Sequence, residues 1–253
     1  TSRSTSDVLR SPTILLFDID GVIRDVAGSY RRALQETVQY YSGWRPTPED
    51  IDKLKGEGRW NNDWDASLEL LRRHGTDPPD RTALIDVFSG YYFGGDPQGD
   101  PSDWTGFIGD EPLLVDSDFF EELSSRNIRW GFVSGAEPTS ARFVLEQRLR
   151  LNKPALIAMG DAPDKPDPTG LLRLAETLAA GETPEWVAYI GDTVADVQTV
   201  LNARKRRPEL TWRSLGVAPP HVADVMAYHQ LLRNAGADCI VEATRELIPA
   251  LMR

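Results

Sequence analysis

The 253-residue sequence contains little of what marks a disulfide-bonded, membrane-bound or nucleic-acid-binding protein. Its single cysteine, Cys239, rules out an intrachain disulfide framework and a thiolate zinc site, and we expect a reducing, cytoplasmic compartment. No apolar run approaches the roughly 18 residues that a membrane helix needs, so no membrane partner is expected. Acidic residues outnumber basic ones by 39 to 28. The formal charge of −11 argues against a nucleic-acid partner, because phosphate backbones require clustered positive charge.

The residues that are present have an ordinary globular composition, with 40% hydrophobic and 26% charged side chains. Residues 1–12 are polar and lack the apolar core of a secretory signal, and we interpret them as a flexible tail. The remaining length suits one large domain, or one domain that carries a smaller insert.

Short apolar runs alternate with helical patterns along most of the chain. Strands are predicted at residues 13–17, 128–133, 155–158 and 187–190, with weaker ones at 211–217 and 239–241. Helices are predicted over 116–126, 138–149, 168–178, 194–205, 222–234 and 245–251. This alternation predicts an α/β fold with a Rossmann-like parallel sheet and helices on both faces. Cys239 is expected in the core, on the last strand.

Residues 24–112 interrupt this alternation. They contain helical patterns over 29–41, 48–54, 63–73 and 81–92, then a linker rich in Gly, Pro and Asp over 96–110, and no convincing strand. We therefore predict an all-helical domain with linkers over 24–112, inserted into an α/β core made of residues 13–23 and 113–253.

Polar side chains follow four of the predicted strands. They are Asp18 and Asp20, Ser134 with Gly135, Lys165, and Asp192 with Asp196. Because the carboxyl ends of parallel strands meet at one edge of a sheet, we expect these side chains to lie together. Clustered carboxylates repel one another unless a cation binds between them, and their hard oxygen ligands favour Mg²⁺.

Such a cluster has the groups that phosphoryl transfer requires. Asp18 could attack phosphorus, and Asp20 could protonate the leaving oxygen and later deprotonate a water. Ser134, nearby backbone N–H groups and Lys165 could hold the phosphoryl oxygens and compensate their charge. Taken singly, the same residues also fit a polar turn, a helix-capping hydroxyl, a solvated lysine and helix N-terminal charges.

Residues 18–22, 132–135, 165–168 and 191–196 resemble, in order, the four motifs of the haloacid dehalogenase superfamily. The helical insert is similar to the cap of its subfamily I, the phosphoglycolate-phosphatase and β-phosphoglucomutase type. Two positions depart from the usual pattern, Gly135 where Asn is frequent and Leu171 where an aromatic is usual. Neither departure removes a chemical group.

The resemblance implies a role for each matching residue. Asp18 is the nucleophile and a Mg²⁺ ligand, and Asp20 is the acid/base whose backbone carbonyl also binds the metal. Ser134, with Gly135, and Lys165 bind the transferring phosphoryl group. Asp192 is the third protein ligand of the metal, and Asp196 supports either the metal or Lys165.

The turn before the third helix of the insert admits two interpretations. Caps of this type place such a loop over the active site, where Arg59, Trp60 and Asn61 would bind the substrate, Arg59 as an anion partner and Trp60 as a stacking surface. Alternatively, Asn62 or Asp63 caps a helix here and the tryptophans lie in the core of the insert.

These patterns predict a Mg²⁺-dependent phosphatase that acts on a small phosphorylated metabolite through an aspartyl-phosphate. A phosphomutase or phosphotransferase with the same intermediate is the alternative, and a non-catalytic phosphate-binding scaffold is a third. Hydrolysis is favoured because His74, the only histidine of the insert, lies at a helix end rather than where it could gate a sugar against water. Dehalogenation is disfavoured because that chemistry lacks the second aspartate, here Asp20.

Overall fold

The computed structural model describes residues 12–57, 59–60 and 62–251 of the chain. The predicted tail up to residue 11, and the candidate substrate residue Asn61, lie outside the described residues. Contacts divide the chain into two compact units. One, the core unit, comprises the residues up to Arg24 and those from Leu113 onward; the other, the insert, is Asp25–Pro112. The insert thus begins one residue later than the sequence pattern predicts.

Within residues 12–24 and 113–251, the core unit contains a six-stranded sheet in the order β3-β2-β1-β4-β5-β6. Its strands are β1 Thr13–Phe17, β2 Ile128–Val133, β3 Leu156–Ile157, β4 Val187–Gly191, β5 Trp212–Val217 and β6 Cys239–Val241. Every neighbouring pair is parallel. The predicted α/β class with a parallel sheet is confirmed, and β3 is shorter than predicted.

The central strand shows why a continuous apolar run forms a strand here. Leu15 and Phe17 pack into a hydrophobic cluster on one face of the sheet, and Ile14 and Leu16 pack into a second cluster on the other. Both faces are covered, so the side chains of β1 from Ile14 to Phe17 are all apolar. β1 lies between β2 and β4, with Phe17 opposite both Phe132 and Ile190.

The described part of the insert forms four α-helices. They are α1 Ala27–Ser42, α2 Pro48–Lys55, α3 Asp63–Arg73 and α4 Arg81–Phe93. Local signals set the starts of three of them: Thr47 and Asp50 form a capping box at α2, and Asn62 and Asp80 accept backbone N–H groups at α3 and α4. The predicted linker forms two short 3₁₀ turns, Pro101–Asp103 and Phe107–Asp110.

The remaining helices belong to the core unit. They are α5 Ser117–Ser125, α6 Pro138–Arg142, α7 Thr169–Ala179, α8 Val194–Arg206, α9 Val225–Ala235 and α10 Leu247–Leu251. The helix predicted over 138–149 continues after α6 as a π-helical segment, Phe143–Arg148. The prediction that Cys239 is a core residue is wrong: its side chain is exposed, because β6 is an edge strand. None of the helices within the described residues is long and apolar enough to span a membrane.

Candidate active site

Asp18 comes directly after β1, at the carboxyl edge of the sheet. Its backbone N–H donates to the carbonyl of Ile190, 2.9 Å away, which continues the pairing with β4 past the end of the strand. The side chain is buried, and Oδ1 accepts from the Ile19 N–H at 2.8 Å. The central strand thus carries a carboxylate that is held in place and has little contact with water.

A tight turn follows Asp18 and brings the chain against the end of β4. Gly21 adopts φ +79°, a conformation that favours glycine. A Cβ atom at this position would lie 2.2 Å from Oδ2 of Asp192, so only glycine leaves room for that carboxylate. Within the same turn, Oδ1 of Asp20 accepts from Nε of Arg24 at 2.7 Å.

Ser134 and Gly135 follow β2, the neighbour of β1. The Ser134 side chain is buried, and its Oγ accepts from the backbone N–H of Ala136 at 3.1 Å. Its hydroxyl proton has no acceptor among the described residues, so it remains available to donate. Ser134, Gly135 and Lys165 line one cavity of about 270 Å³, whose size suits a small polar group.

The ammonium group of Lys165 contacts three other side chains. Its Nζ lies 2.6 Å from Oδ1 of Asp196, 3.3 Å from Oδ2 of Asp18 and 3.1 Å from the hydroxyl oxygen of Tyr189. Burial alone would lower the pKa of Lys165, but these neighbours hold it well above its usual value. Lys165 therefore remains a cation in contact with the candidate nucleophile.

Asp192 and Asp196 follow β4 and have different partners. Oδ2 of Asp196 accepts from the N–H groups of Asp192 and Thr193, both at 3.1 Å, while Oδ1 faces Lys165. With both oxygens engaged, Asp196 fits support of Lys165 better than direct metal binding. Gly191 is required beside it, since a Cβ there would lie 2.4 Å from Oδ2 of Asp196.

Oxygen atoms of Asp18, Asp192 and Asp196 all lie within 4.8 Å of one another. Burial, reinforced by the charge of Asp196, raises the pKa of Asp18 to about 8. Burial and the charge of Asp18 also raise the pKa of Asp192 well above its usual value. Burial opposes ionisation of Asp196 too, yet the Lys165 ammonium keeps its pKa below the ordinary value. With all three carboxylates ionised, the cluster carries more negative charge than its one lysine compensates.

This excess is the test of whether the site fits a divalent cation. Three carboxylates and one ammonium have a formal charge of −2, which an ion of charge +2 would balance. The donor set is entirely oxygen, which suits Mg²⁺. Asp18 and Asp192 are the two carboxylates whose pKa values are raised, first by burial and then by neighbouring carboxylates, so a cation beside them would favour their ionised forms.

The structure adds three residues that the sequence pattern did not single out. Tyr189 donates its hydroxyl to the Val133 carbonyl at 2.7 Å and accepts from Lys165, so it fixes the ammonium against the sheet. Tyr228 of α9 donates to the backbone carbonyl of Asp192. Arg24 holds Asp20, and its charge directly after the buried apolar residues Val22 and Ile23 is a signal that could have identified it.

The predicted substrate residues of the insert are only partly described. Arg59 is exposed, and Trp60 is half-buried with an indole N–H that has no acceptor among the described residues. Oδ1 of Asn62 accepts from the N–H groups of Trp64 and Asp65, so this residue caps α3 as the alternative interpretation predicts.

Comparisons with known proteins agree with this geometry. The model of the haloacid dehalogenase-like hydrolase family matches residues 12–204. The chain is 26% identical over 201 residues to a phosphoglycolate phosphatase from Aquifex aeolicus, covering 79% of this chain and 84% of that protein.

Two further similarities, one in sequence and one in structure, support different conclusions. The chain is 30% identical over 188 residues, 72% of its length, to an imidazoleglycerol-phosphate dehydratase from Phytophthora nicotianae, of which it spans 40%. A candidate β-phosphoglucomutase from Thermotoga maritima superposes with a TM-score of 0.69 at 19% identity, over 95% of this chain and 98% of the other. At that identity the superposition supports the fold alone.

Proposed function

The chain belongs to the haloacid dehalogenase-like hydrolases, and we propose that it is a Mg²⁺-dependent phosphatase acting on a small phosphorylated metabolite through an aspartyl-phosphate. The observation that carries this proposal is the contact between Asp18 and Lys165 inside a buried cluster of carboxylates. In this arrangement the proposed nucleophile, Asp18, lies beside Lys165, whose positive charge would neutralise a phosphoryl group. The carboxylates around them would also hold a metal ion. In this proposal residues 13–23 and 113–253 form the catalytic core and residues 24–112 the helical cap.

Asp18, Asp192 and the backbone carbonyl of Asp20 would hold the metal. Bound Mg²⁺ supplies positive charge that lowers the pKa of Asp18 and neutralises a phosphoryl oxygen. Asp196, which the sequence assigned to either the metal or Lys165, fits the second role by its hydrogen bonds. Tyr228 holds the carbonyl of the Asp192 backbone and so restrains the loop that bears this ligand.

In the first step of the proposed reaction, an oxygen of Asp18 attacks phosphorus and the bond from phosphorus to the ester oxygen breaks. Asp20 gives its proton to that leaving oxygen, so the product departs as an alcohol. The Ser134 hydroxyl, the Gly135 N–H and the Lys165 ammonium hold the non-bridging oxygens as their negative charge redistributes.

In the second step, water attacks phosphorus and the bond between phosphorus and Asp18 breaks. The proton of the water passes to Asp20, which restores the acid for the next cycle. Lys165 stays protonated throughout, because its buried carboxylate neighbours keep its pKa high. Each group therefore returns to its starting state after one turnover.

A phosphomutase would use the same first step and transfer the phosphoryl group to a sugar hydroxyl instead of water. His74 stacks on Trp44 with ring centroids 4.5 Å apart, and this packing role favours hydrolysis, since no other histidine lies in the insert. The predicted substrate contacts of Arg59, Trp60 and Asn61 remain part of the proposal.

The test is a screen of phosphorylated metabolites with Mg²⁺, measuring released phosphate and using Asp18→Asn as the blank. Phosphoglycolate, imidazoleglycerol phosphate and a β-phosphoglucose belong in the first panel, because relatives are named for them. We expect Asp18-dependent release of phosphate from at least one ester. Binding of esters without release would favour the scaffold alternative, and conversion to an isomeric phosphate would favour the mutase.

A further inference from the structure

Arg24 is a buried cation that the reaction above does not use. Its side chain is wholly inaccessible to solvent, and it follows the core residues Val22 and Ile23. An apolar side chain would have continued this pattern, whereas a buried guanidinium loses its hydration and must be compensated by polar partners. The partners that Arg24 contacts therefore indicate why a charge is present.

The guanidinium joins the turn of Asp20 to the helix that follows the Ser134 loop. Nε donates to Oδ1 of Asp20 at 2.7 Å, and Nη2 donates to Oγ of Ser140 in α6 at 2.9 Å. The backbone is fixed as well, since the Gly21 N–H donates to the Arg24 carbonyl at 2.9 Å. Nη1 also donates to the carbonyl of Ser140 at 3.5 Å, so the planar group is held at three nitrogens and has little freedom to move.

The contact with Arg24 leaves one carboxylate oxygen of Asp20 available to exchange a proton. Oδ1 is occupied by Arg24, and Oδ2 accepts no hydrogen bond from the described residues. The Asp20 side chain is 32% exposed, so without Arg24 nothing described here would fix its rotamer. The contact with Arg24 thus sets the direction in which Oδ2 can exchange a proton.

We infer that Arg24 is a positioning residue that aims Oδ2 of Asp20 at the leaving oxygen. This inference rests on the proposed phosphatase function. As the bond from phosphorus to the leaving oxygen breaks and the bond to Asp18 forms, the proton on Oδ2 passes to that oxygen. A leaving alkoxide needs this proton, whereas nitrophenolate is stable without it. Misplacement of Oδ2 should therefore slow cleavage of an alkyl ester more than cleavage of a nitrophenyl ester.

The experiment compares Arg24→Met with the wild type on an alkyl phosphate and on p-nitrophenyl phosphate, both with Mg²⁺. The measured quantity is kcat/KM, which covers the steps up to departure of the leaving group. We expect kcat/KM to fall about 100-fold for the alkyl ester, the cost of a misplaced catalytic group, and less than about threefold for the aryl ester. Arg24→Lys, which keeps the charge, is expected to recover part of the loss.

A second readout follows from the role of Asp20 as the base for water. Slower hydrolysis of the aspartyl-phosphate in Arg24→Met would produce a rapid burst of nitrophenol before the steady rate. The matched control is Arg129→Met, since Arg129 also pairs with a carboxylate, Glu182, at 2.6 Å but lies near the start of β2, away from Ser134. Its ratio of alkyl to aryl kcat/KM should equal that of the wild type.

Equal losses on both esters, or no loss on either, would overturn the inference and leave Arg24 as a brace of the chain. If Arg24→Met does not fold, Ser140→Ala frees the other end of the guanidinium and should shift the ratio in the same direction, about tenfold. If Ser140→Ala and Arg24→Lys each keep the wild-type ratio of alkyl to aryl kcat/KM, the inference is also overturned. A wild type that turns over neither ester contradicts the proposed function itself, and this inference with it.

Discussion

Each of the two units contains a lysine–aspartate pair with the same separation. In the core unit Nζ of Lys165 lies 2.6 Å from Oδ1 of Asp196, and in the insert Nζ of Lys55 lies 2.6 Å from Oδ1 of Asp63. The surroundings differ: the Asp196 side chain is 2% exposed and that of Asp63 is 21% exposed. Equal distances therefore describe two different energetic situations, because solvent screens the second pair and not the first.

The two capping boxes repeat this contrast. Thr47 and Asp50 form one at the exposed start of α2, where it satisfies backbone donors of the helix and nothing more. Thr193 and Asp196 form the other at the start of α8, but Asp196 is buried and also holds Lys165. The capping box at α8 therefore has a second role, because Asp196 is buried beside a strand end and pairs with Lys165.

The largest expected effect tests whether the buried cluster is the chemical centre. Asp18→Asn should lower turnover at least a thousandfold, because no other carboxylate can replace the attacking oxygen. Without metal and above pH 8, where Asp18 is ionised, the variant should melt at the same temperature as the wild type or higher, since one repelling charge is gone. Phosphate release and calorimetry measure the two effects. Activity above a tenth of the wild type would contradict the covalent mechanism.

The lysine pairs themselves offer a matched test. Lys165→Met should lower the free energy of unfolding by about 3–5 kcal/mol, because it leaves buried carboxylates without their cation. It should also reduce kcat by about two orders of magnitude or more. Lys55→Met, on the better solvated pair of the insert, should lower the free energy of unfolding by at most about 1 kcal/mol and leave kcat unchanged. Urea unfolding measures the free energy of unfolding of both variants. Similar losses in the two would contradict the difference between the buried pair and the solvated pair.

The pH dependence of stability should come from the core unit. The pKa of Asp18 is raised to about 8, whereas an unfolded aspartate titrates near 4. Between these values the folded state binds a proton that the unfolded state lacks, so the free energy of unfolding of the metal-free protein should fall as pH rises from about 4 to 8. Denaturation in chelator across this range measures the slope. Asp18→Asn should flatten it, and an unchanged slope in that variant would assign it to other groups.

Mg²⁺ should stabilise the protein through the same carboxylates. At a concentration of 100 times its Kd, the ion should raise the free energy of unfolding by about 2.7 kcal/mol. Asp192→Asn should lose most of this gain, while Asp63→Asn in the insert should keep it. Ca²⁺ is expected to bind and inhibit, because its higher coordination number can engage the second oxygen of Asp18. Full activity in excess chelator would contradict metal dependence.

The smallest expected effect concerns the insert. Arg59→Ala should lower kcat/KM on the true substrate about tenfold, a loss of about 1.4 kcal/mol, because its guanidinium suits a carboxylate or second phosphate. Hydrolysis of a small artificial ester, which has no such group, should change little. Equal losses on both substrates would assign Arg59 to the folding of the insert. No loss on either would leave the segment as the entry to α3.

Much of the candidate site was visible in the sequence because strand ends determine it. Asp18, Ser134, Lys165 and Asp192 each follow an apolar run, and a parallel sheet places such positions at one edge. Tyr189 was not visible, since a tyrosine inside an apolar strand looks like any core aromatic. Its role depends on the position of the Lys165 ammonium group. No local pattern in the residues between Lys165 and Tyr189 predicts that position.

The sequence by itself determined the order of strands and helices, the location of the insert and the positions of the candidate site residues along the chain. These follow from apolar periodicity, helix caps and glycine turns, which act over a few residues. Tertiary structure alone decided that Asp196 pairs with Lys165, that Arg24 holds Asp20, that Tyr228 reaches Asp192, and that Cys239 is exposed on an edge strand. Burial and ion pairing depend on residues distant in sequence, and these contacts determine which carboxylates lie beside a positive group.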